Sequence, residues 1–229
     1  MALIDLLEES DFEVPVGTPA AAEAIDIIAA YTSPLPAAAA EANWRGYAAL
    51  SQLDPENASY AEKSARYKEA YDRARSAALG KLKKKTDEFS GMLWYKHPNT
   101  PRYTDIRHYI EIYMGEKDGK VTMRLVLNYT SDSWLFIDSA AANIDGEIVP
   151  LPLRDWTRDN DTEIWERADV QMTDQLRDIA MRIANSNKTI IRFDGDQFYD
   201  DMTVRANDKA AIRDMFDAEV ALKAQLADQ

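Results

Sequence analysis

Residues 106–137 read Ile106-Arg-His-Tyr-Ile-Glu-Ile-Tyr-Met114, then Gly115-Glu-Lys-Asp-Gly119, then Lys120-Val-Thr-Met-Arg-Leu-Val-Leu-Asn-Tyr129, and after four polar residues Trp134-Leu-Phe-Ile137. Ile106, His108, Ile110, Ile112 and Met114 share one parity, and Arg107, Tyr109, Glu111 and Tyr113 share the other. Val121, Met123, Leu125, Leu127 and Tyr129 alternate with Thr122, Arg124, Val126 and Asn128 in the same way. Side chains of an extended chain alternate between two faces, so each segment reads as a strand with one buried and one amphipathic face. Gly115 and Gly119 bracket a loop and can supply the positive φ that a hairpin needs. The continuous apolar run at 134–137 reads as a strand covered on both sides.

Outward from this hairpin the pattern stays strand-like. Phe89–Tyr95 reads as a preceding strand, broken by His97-Pro98-Asn99-Thr100-Pro101. Asn143-Ile-Asp-Gly146 is a turn into an edge strand that stops at Pro150 and Pro152, since proline cannot donate to a central ladder. Glu163–Met172 is a further strand. Thr173 or Asp174 caps a helix bearing Leu176, Ile179, Ala180 and Ile183 on one face. Thr189–Phe193 and Gln197–Val204 form a second hairpin across Asp194-Gly195. Asn207 or Asp208 caps a last helix with Ile212, Met215, Phe216, Val220 and Leu226 as its stripe. Strands followed by helix, hairpin and helix imply an α+β domain over 87–229: an antiparallel or mixed sheet with two helices packed on it.

Residues 1–86 read as helical. Leu3, Leu6 and Leu7 mark a short amphipathic turn. Thr18-Pro19 opens a helix over 19–32, with Thr as N-cap and Pro at the first helical position. A second helix runs over 37–53 with Trp44, Tyr47, Ala48 and Leu50 inward. Asp54-Pro55 ends it and opens a third over 56–85, whose stripe is Tyr60, Tyr67, Tyr71, Ala74, Ala78 and Leu82. The last two make a helical hairpin, brought close by a small Ala face. The basic run Lys81–Lys85 marks the junction between the two parts.

The net charge of −13 is uneven. Residues 56–85 hold nine basic and four acidic side chains, a local +5 that leaves −18 on the rest. An acidic body repels nucleic acid and attracts basic partners. The tyrosines of the basic helix lie on its inferred buried stripe, so no direct nucleic-acid contact is expected there. There is no cysteine, which excludes disulfides, thiolate metal sites and cysteine nucleophiles. The N-terminal residues lack a basic region and a long apolar run, and no apolar stretch reaches the ~20 residues of a membrane span. A cytoplasmic protein without membrane association is expected.

Two resemblances add to this. Pro36, Asn43, Tyr47, Leu50, Leu53-Asp-Pro-Glu-Asn57, Tyr60, Lys63 and Tyr67 resemble a helical hairpin of uncharacterised bacterial and phage-associated proteins and, more loosely, the end of a tetratricopeptide unit. Only one unit is present, whereas a solenoid needs about three. Thr86-Asp-Glu-Phe-Ser-Gly91, Asn128-Tyr129, Asp132-Ser-Trp-Leu-Phe-Ile137, Asp145-Gly146 and Ile191-Arg-Phe-Asp-Gly195 resemble an uncharacterised bacterial and phage-borne domain. That resemblance implies a boundary near residue 86 and carries no activity.

The residues that could carry chemistry are few. His97 lies in a loop, and His108 falls on the apolar face as a hydrogen-bonded core or rim residue. No nucleophile elbow flanks Ser131 or Ser133. No phosphate-binding glycine loop or dinucleotide fingerprint is present, so no cofactor is expected. Asp194, Asp196, Asp200 and Asp201 around a turn are a candidate oxygen-ligand metal site. They fail the calcium-loop pattern, with Phe198 at position five, Tyr199 at six and Arg205 at twelve. Trp156, amid Arg154, Arg158 and Asp159, reads as an exposed aromatic with the composition of an interface hot spot. The favoured reading is a non-enzymatic protein-interaction module of bacterial or phage origin, with self-association left open. The alternatives are a small metal-assisted hydrolase built on the Asp cluster and an acidic decoy of a nucleic-acid-binding protein.

Overall fold

The computed structural model describes residues 2–8 and 14–228. The chain divides into two units between Ala74 and Arg75. Among the described residues they hold six helices and two antiparallel sheets, an α+β fold with the helical region first.

The first unit contains α1 (Ala2–Glu8), α2 (Pro19–Thr32), α3 (Ala40–Leu53) and the first part of α4 (Ala58–Lys81). Thr18 caps α2 by accepting from the Ala21 amide at 3.2 Å, with Pro19 in the first turn. The close approach of helices is between α2 and α3. A Cβ on Gly46 would lie 2.2 Å from Thr32 Oγ1, so only glycine fits. Between α3 and α4 the expected Ala-lined contact is replaced by rings. Tyr47 stacks with Tyr60 and Tyr67 at 6.3 and 5.8 Å, and Trp44 meets Tyr71 at 5.1 Å. Aromatic side chains hold two helices apart while still burying area. Asp54-Pro55 does not open α4 directly. A turn intervenes, with the Asn57 amide donating to Asp54 O, and the helix starts at Ala58.

From Arg75 onward α4 belongs to the second unit, where Ala78 and Leu79 enter the core. The helix stops at Lys81, short of the predicted 85. Lys83–Thr86 is β1, an edge strand paired with β2 (Leu93–Lys96) through Lys83↔Lys96 and Thr86↔Leu93. The free edge of β2 satisfies the backbone of this segment, and exposed lysines keep the new edge soluble. β2 is shorter than the predicted Phe89–Tyr95, and Phe89 is fully exposed in the turn.

β3 (Tyr109–Lys117) and β4 (Lys120–Ser131) form the central hairpin, from Tyr109↔Asn128 to Lys117↔Lys120. The turn is tighter than predicted: Asp118 and Gly119 alone take positive φ, 51° and 74°, as a two-residue turn requires. Gly115 lies inside β3. A Cβ there would come within 2.8 Å of the Trp94 ring, so its role is close packing. β7 (Thr157–Asn160) and β8 (Ile164–Gln171) complete the first sheet, in the order β1-β2-β3-β4-β8-β7. The second sheet, β10-β9-β5-β6, contains β5 (Ile137–Ile144), β6 (Glu147–Leu151), β9 (Thr189–Gly195) and β10 (Tyr199–Thr203).

α5 (Asp174–Asn185) is capped by Thr173, whose hydroxyl accepts from the Leu176 amide. α6 (Ala206–Ala227) packs on β3 and on α5. Ile110, Ile112, Leu125, Leu127, Ile183, Phe193, Ile212 and Met215 meet in one core. The predicted cap of α6 is corrected: the N-cap is Arg205, without a side-chain bond. Asp208 instead points inward, buried, and receives Arg107 at 2.7 and 3.1 Å and Asn99 at 2.7 Å. The second face of β3 is closed as well. Tyr109, Tyr113 and Val126 pack with Trp94, and Asp169 accepts from the Tyr113 hydroxyl at 2.9 Å and Arg124 at 2.7 Å.

Candidate functional site

Antiparallel pairing decides which loops meet. β2 runs toward the start of β3, β4 ends opposite the start of β8, and β5 starts opposite the end of β9. Loop 97–108, turn 132–136, segment 152–163 and turn 196–198 therefore share one end of the two sheets. Individual contacts confirm the grouping. Asn128 Nδ2 donates to Thr104 O at 2.9 Å, and His108 Nε2 lies 3.5 Å from Asp200 Oδ2. A Cβ on Gly195 would meet Leu135 O at 2.0 Å.

Glu166 organises this end. Its carboxylate, 0% exposed, accepts from the Leu135, Phe136 and Ile137 amides and from Arg158 Nε, each at 2.8 Å. Phe136 takes a positive φ of 56°, which turns three successive amides onto one anion. Residues 134–136 are thus a turn and β5 begins at Ile137, so the predicted doubly covered strand is corrected: Leu135 and Ile137 are buried while Phe136 is 53% exposed. Backbone donors that would need a strand partner are satisfied by the carboxylate instead. Arg158 also donates to Ile137 O at 2.8 Å and lies over the Phe136 ring.

The predicted interface set is split. Trp156 is turned inward, edge-on to Phe193 at 6.2 Å, with Nε1 buried and without a hydrogen-bond partner among the described residues. It is half-buried, which corrects its expected exposure; the indole gains more by covering the core at this corner. Arg158 is held by Glu166, Arg154 is exposed, and Asp159 faces a cleft.

The Asp cluster does not converge either. Asp201 is paired with Arg192 at 2.8 Å through both oxygens, and the pairing holds its pKa below the ordinary value. Asp200 lies beside His108, and its Oδ1 accepts from the Asp201 amide. Neighbours in a strand point to opposite faces, which separates these two carboxylates. Among the described residues no group of three or more His, Cys, Asp or Glu is placed to hold a metal ion.

Both histidines are committed to structure. His108 Nδ1 accepts from the Thr130 amide at 3.1 Å, so the proton of the neutral ring sits on Nε2, facing Asp200. His97 Nδ1 accepts from the Asn99 amide, and its Nε2 is 3.1 Å from Asp214. Neither neutral ring keeps a free lone pair for a substrate proton. Burial pulls His108 below its ordinary 6.5, against the raising effect of Asp200, and the ring stacks on Tyr129 at 4.8 Å.

This end also presents an aromatic and acidic surface, in which Arg192 lies over the Tyr199 ring and Arg158 over the Phe136 ring. Phe198 is 73% exposed, Tyr199 61% and Phe136 53%. At the same end of the sheets a cleft of about 630 Å³ opens between Arg102, Tyr103, Thr104 and Asp105 on one wall and Asp159, Asn160, Asp161, Thr162 and Trp165 on the other. Sequence reasoning missed Phe198 and Tyr199 as surface rings, although Phe198 follows an Asp194-Gly195-Asp196-Gln197 turn. It also missed Tyr103 and Trp165, which no spacing connects. Compared with family models, curated proteins and solved structures, the chain finds no match.

Proposed function

We propose that this chain is a non-enzymatic protein-interaction module, and that the shared loop end of its two sheets is the contact face. The observation that carries this reading is the set of exposed rings Phe136, Phe198 and Tyr199 at this end: Phe136 on a turn fixed from within by Glu166, Phe198 in a turn whose carbonyl accepts from the Gly195 amide, and Tyr199 at the start of β10. Exposed apolar rings on a rigid scaffold favour association, because little order remains to be imposed on binding. Engagement of both imidazoles by backbone amides and carboxylates supports a non-catalytic role. No described helix is long and apolar enough to cross a membrane. The absence of cysteine supports a reducing compartment such as the cytoplasm, and the resemblance to bacterial and phage-borne domains suggests a bacterial lysate as the source of a partner.

The test uses the tagged full chain and its Phe136→Asn, Phe198→Ser double variant as baits in such a lysate. Asparagine tolerates the positive φ at 136, so the fold is kept. The expected result is a stoichiometric protein retained by the parent chain and lost with the variant. Equal retention by both baits, or turnover of a substrate by the purified chain, would overturn the reading.

A further inference from the structure

We infer that the cleft between Tyr103 and Trp165 receives a lysine or arginine side chain from an extended segment of the partner protein. This inference rests on the proposed interaction role and names the chemistry of one part of the contact. The cleft volume, about 630 Å³, lies within the range of ligand sites, which runs from about 300 to about 1,000 Å³. Its lining combines two aromatic side chains, Tyr103 and Trp165, with three carboxylates, Asp105, Asp159 and Asp161, against a single cation, Arg102. Aromatic faces and carboxylates together select a cation, the first through the ring quadrupole and the second through charge.

The neighbouring cations are already engaged. Arg107 is held by buried Asp208 at 2.7 Å, and Arg158 by buried Glu166 at 2.8 Å. Arg102 lies over the Tyr103 ring at 5.2 Å and forms no ion pair among the described residues. That contact is an internal example of the recognition inferred: the ring face accepts a guanidinium. Asp159 accepts only the amide of Asn160, at 2.8 Å, while Asp105 and Asp161 have no side-chain partner among the described residues. Elsewhere in this unit Asp169, Asp201, Asp208, Asp214 and Glu219 are each paired with a cation. Three carboxylates without an ion-pair partner among the described residues line one cleft, and their charge attracts an incoming cation. The wall bearing Tyr103 is also fixed, since buried Asn128 holds Thr104 O at 2.9 Å. The cleft is thus formed before binding and needs little ordering to accept a side chain.

The probe is a fluorescently labelled peptide alternating lysine and serine, with an acetyl-lysine version as the uncharged arm, followed by anisotropy at about 50 mM salt, where screening is weak. The parent chain is expected to bind the lysine peptide saturably and the acetylated one not at all. Asp159→Asn with Asp161→Asn, and separately Tyr103→Ser, are expected to weaken binding about tenfold. Glu23→Gln with Asp26→Asn, on exposed positions of α2, removes the same charge away from the cleft and is expected to change it less than about twofold. Equal weakening by the two charge pairs would reduce the effect to diffuse attraction and overturn the inference, as would absence of saturable binding. Partner retention that depends on Phe136 and Phe198 but not on Tyr103, Asp159 or Asp161 would overturn the inference and leave the proposed function standing. Cleft-dependent peptide binding with no protein partner retained would do the reverse.

Discussion

Glu166 and the pair Asp159 and Asp161 sit within one strand hairpin and are the same chemical group, yet their surroundings are opposite. Glu166 is fully enclosed and accepts three amides and a guanidinium. Asp159 and Asp161 stand at the rim with one amide bond between them. A buried carboxylate is tolerated only when its lone pairs are filled, so Glu166 is part of the fold. A solvated carboxylate adds little to stability and is available to a partner. In an acidic chain, net charge cannot separate these two roles; the count of internal donors on each oxygen can.

The largest expected effect tests the enclosed member. Glu166→Gln keeps the shape but faces an amide NH2 toward existing donors, which should cost the second unit about 3–5 kcal/mol. Denaturant melts followed by circular dichroism check it; an unchanged midpoint would mean that the turn at 135–137 is held by something else. An intermediate effect tests His108 and Asp200, half-enclosed and 3.5 Å apart. Burial places the folded pKa of His108 below the ordinary 6.5. The folded chain therefore binds fewer protons than the unfolded one just below that value. The corresponding stability is present above about pH 6.5 and is lost as the pH falls toward the folded pKa. Melting temperatures of the parent chain and His108→Gln, compared between about pH 7.5 and about pH 5.5, should converge on acidification. A gap independent of pH would show that the ring does not titrate differently on folding. The smallest effect tests the rim: Asp159→Asn with Asp161→Asn should leave the melting temperature unchanged or slightly raised, since like charges are removed. A clear loss of stability would make these residues structural and dissolve the contrast with Glu166.

Much of the fold was legible because period and capping are local. The alternation at 109–129, the Thr18-Pro19 and Thr173 caps and the Asp145-Gly146 turn each state their own conformation. Legibility failed where a distant group replaced the local rule. Lys83–Thr86 continues a helical pattern but finds the edge of β2. Residues 134–136 look like a strand but wrap a carboxylate contributed by residue 166 before β5 begins at Ile137. Asp208 looks like a cap but pairs with Arg107, about a hundred residues earlier in the chain. The candidate site was least legible. Trp156 carries hot-spot composition yet covers Phe193, and Tyr103 and Trp165 share a cleft that only strand pairing creates.

The sequence by itself determined the class of most segments, the helical region followed by the mixed one, the excess of acid and the lack of thiol chemistry, because these follow from composition and from periods of two and 3.6. Only the tertiary structure decided which carboxylates are enclosed and which are free, which rings face solvent, and which loops share an end. Those outcomes depend on strand register and on donors more than twenty residues away, and local sequence carries no record of either.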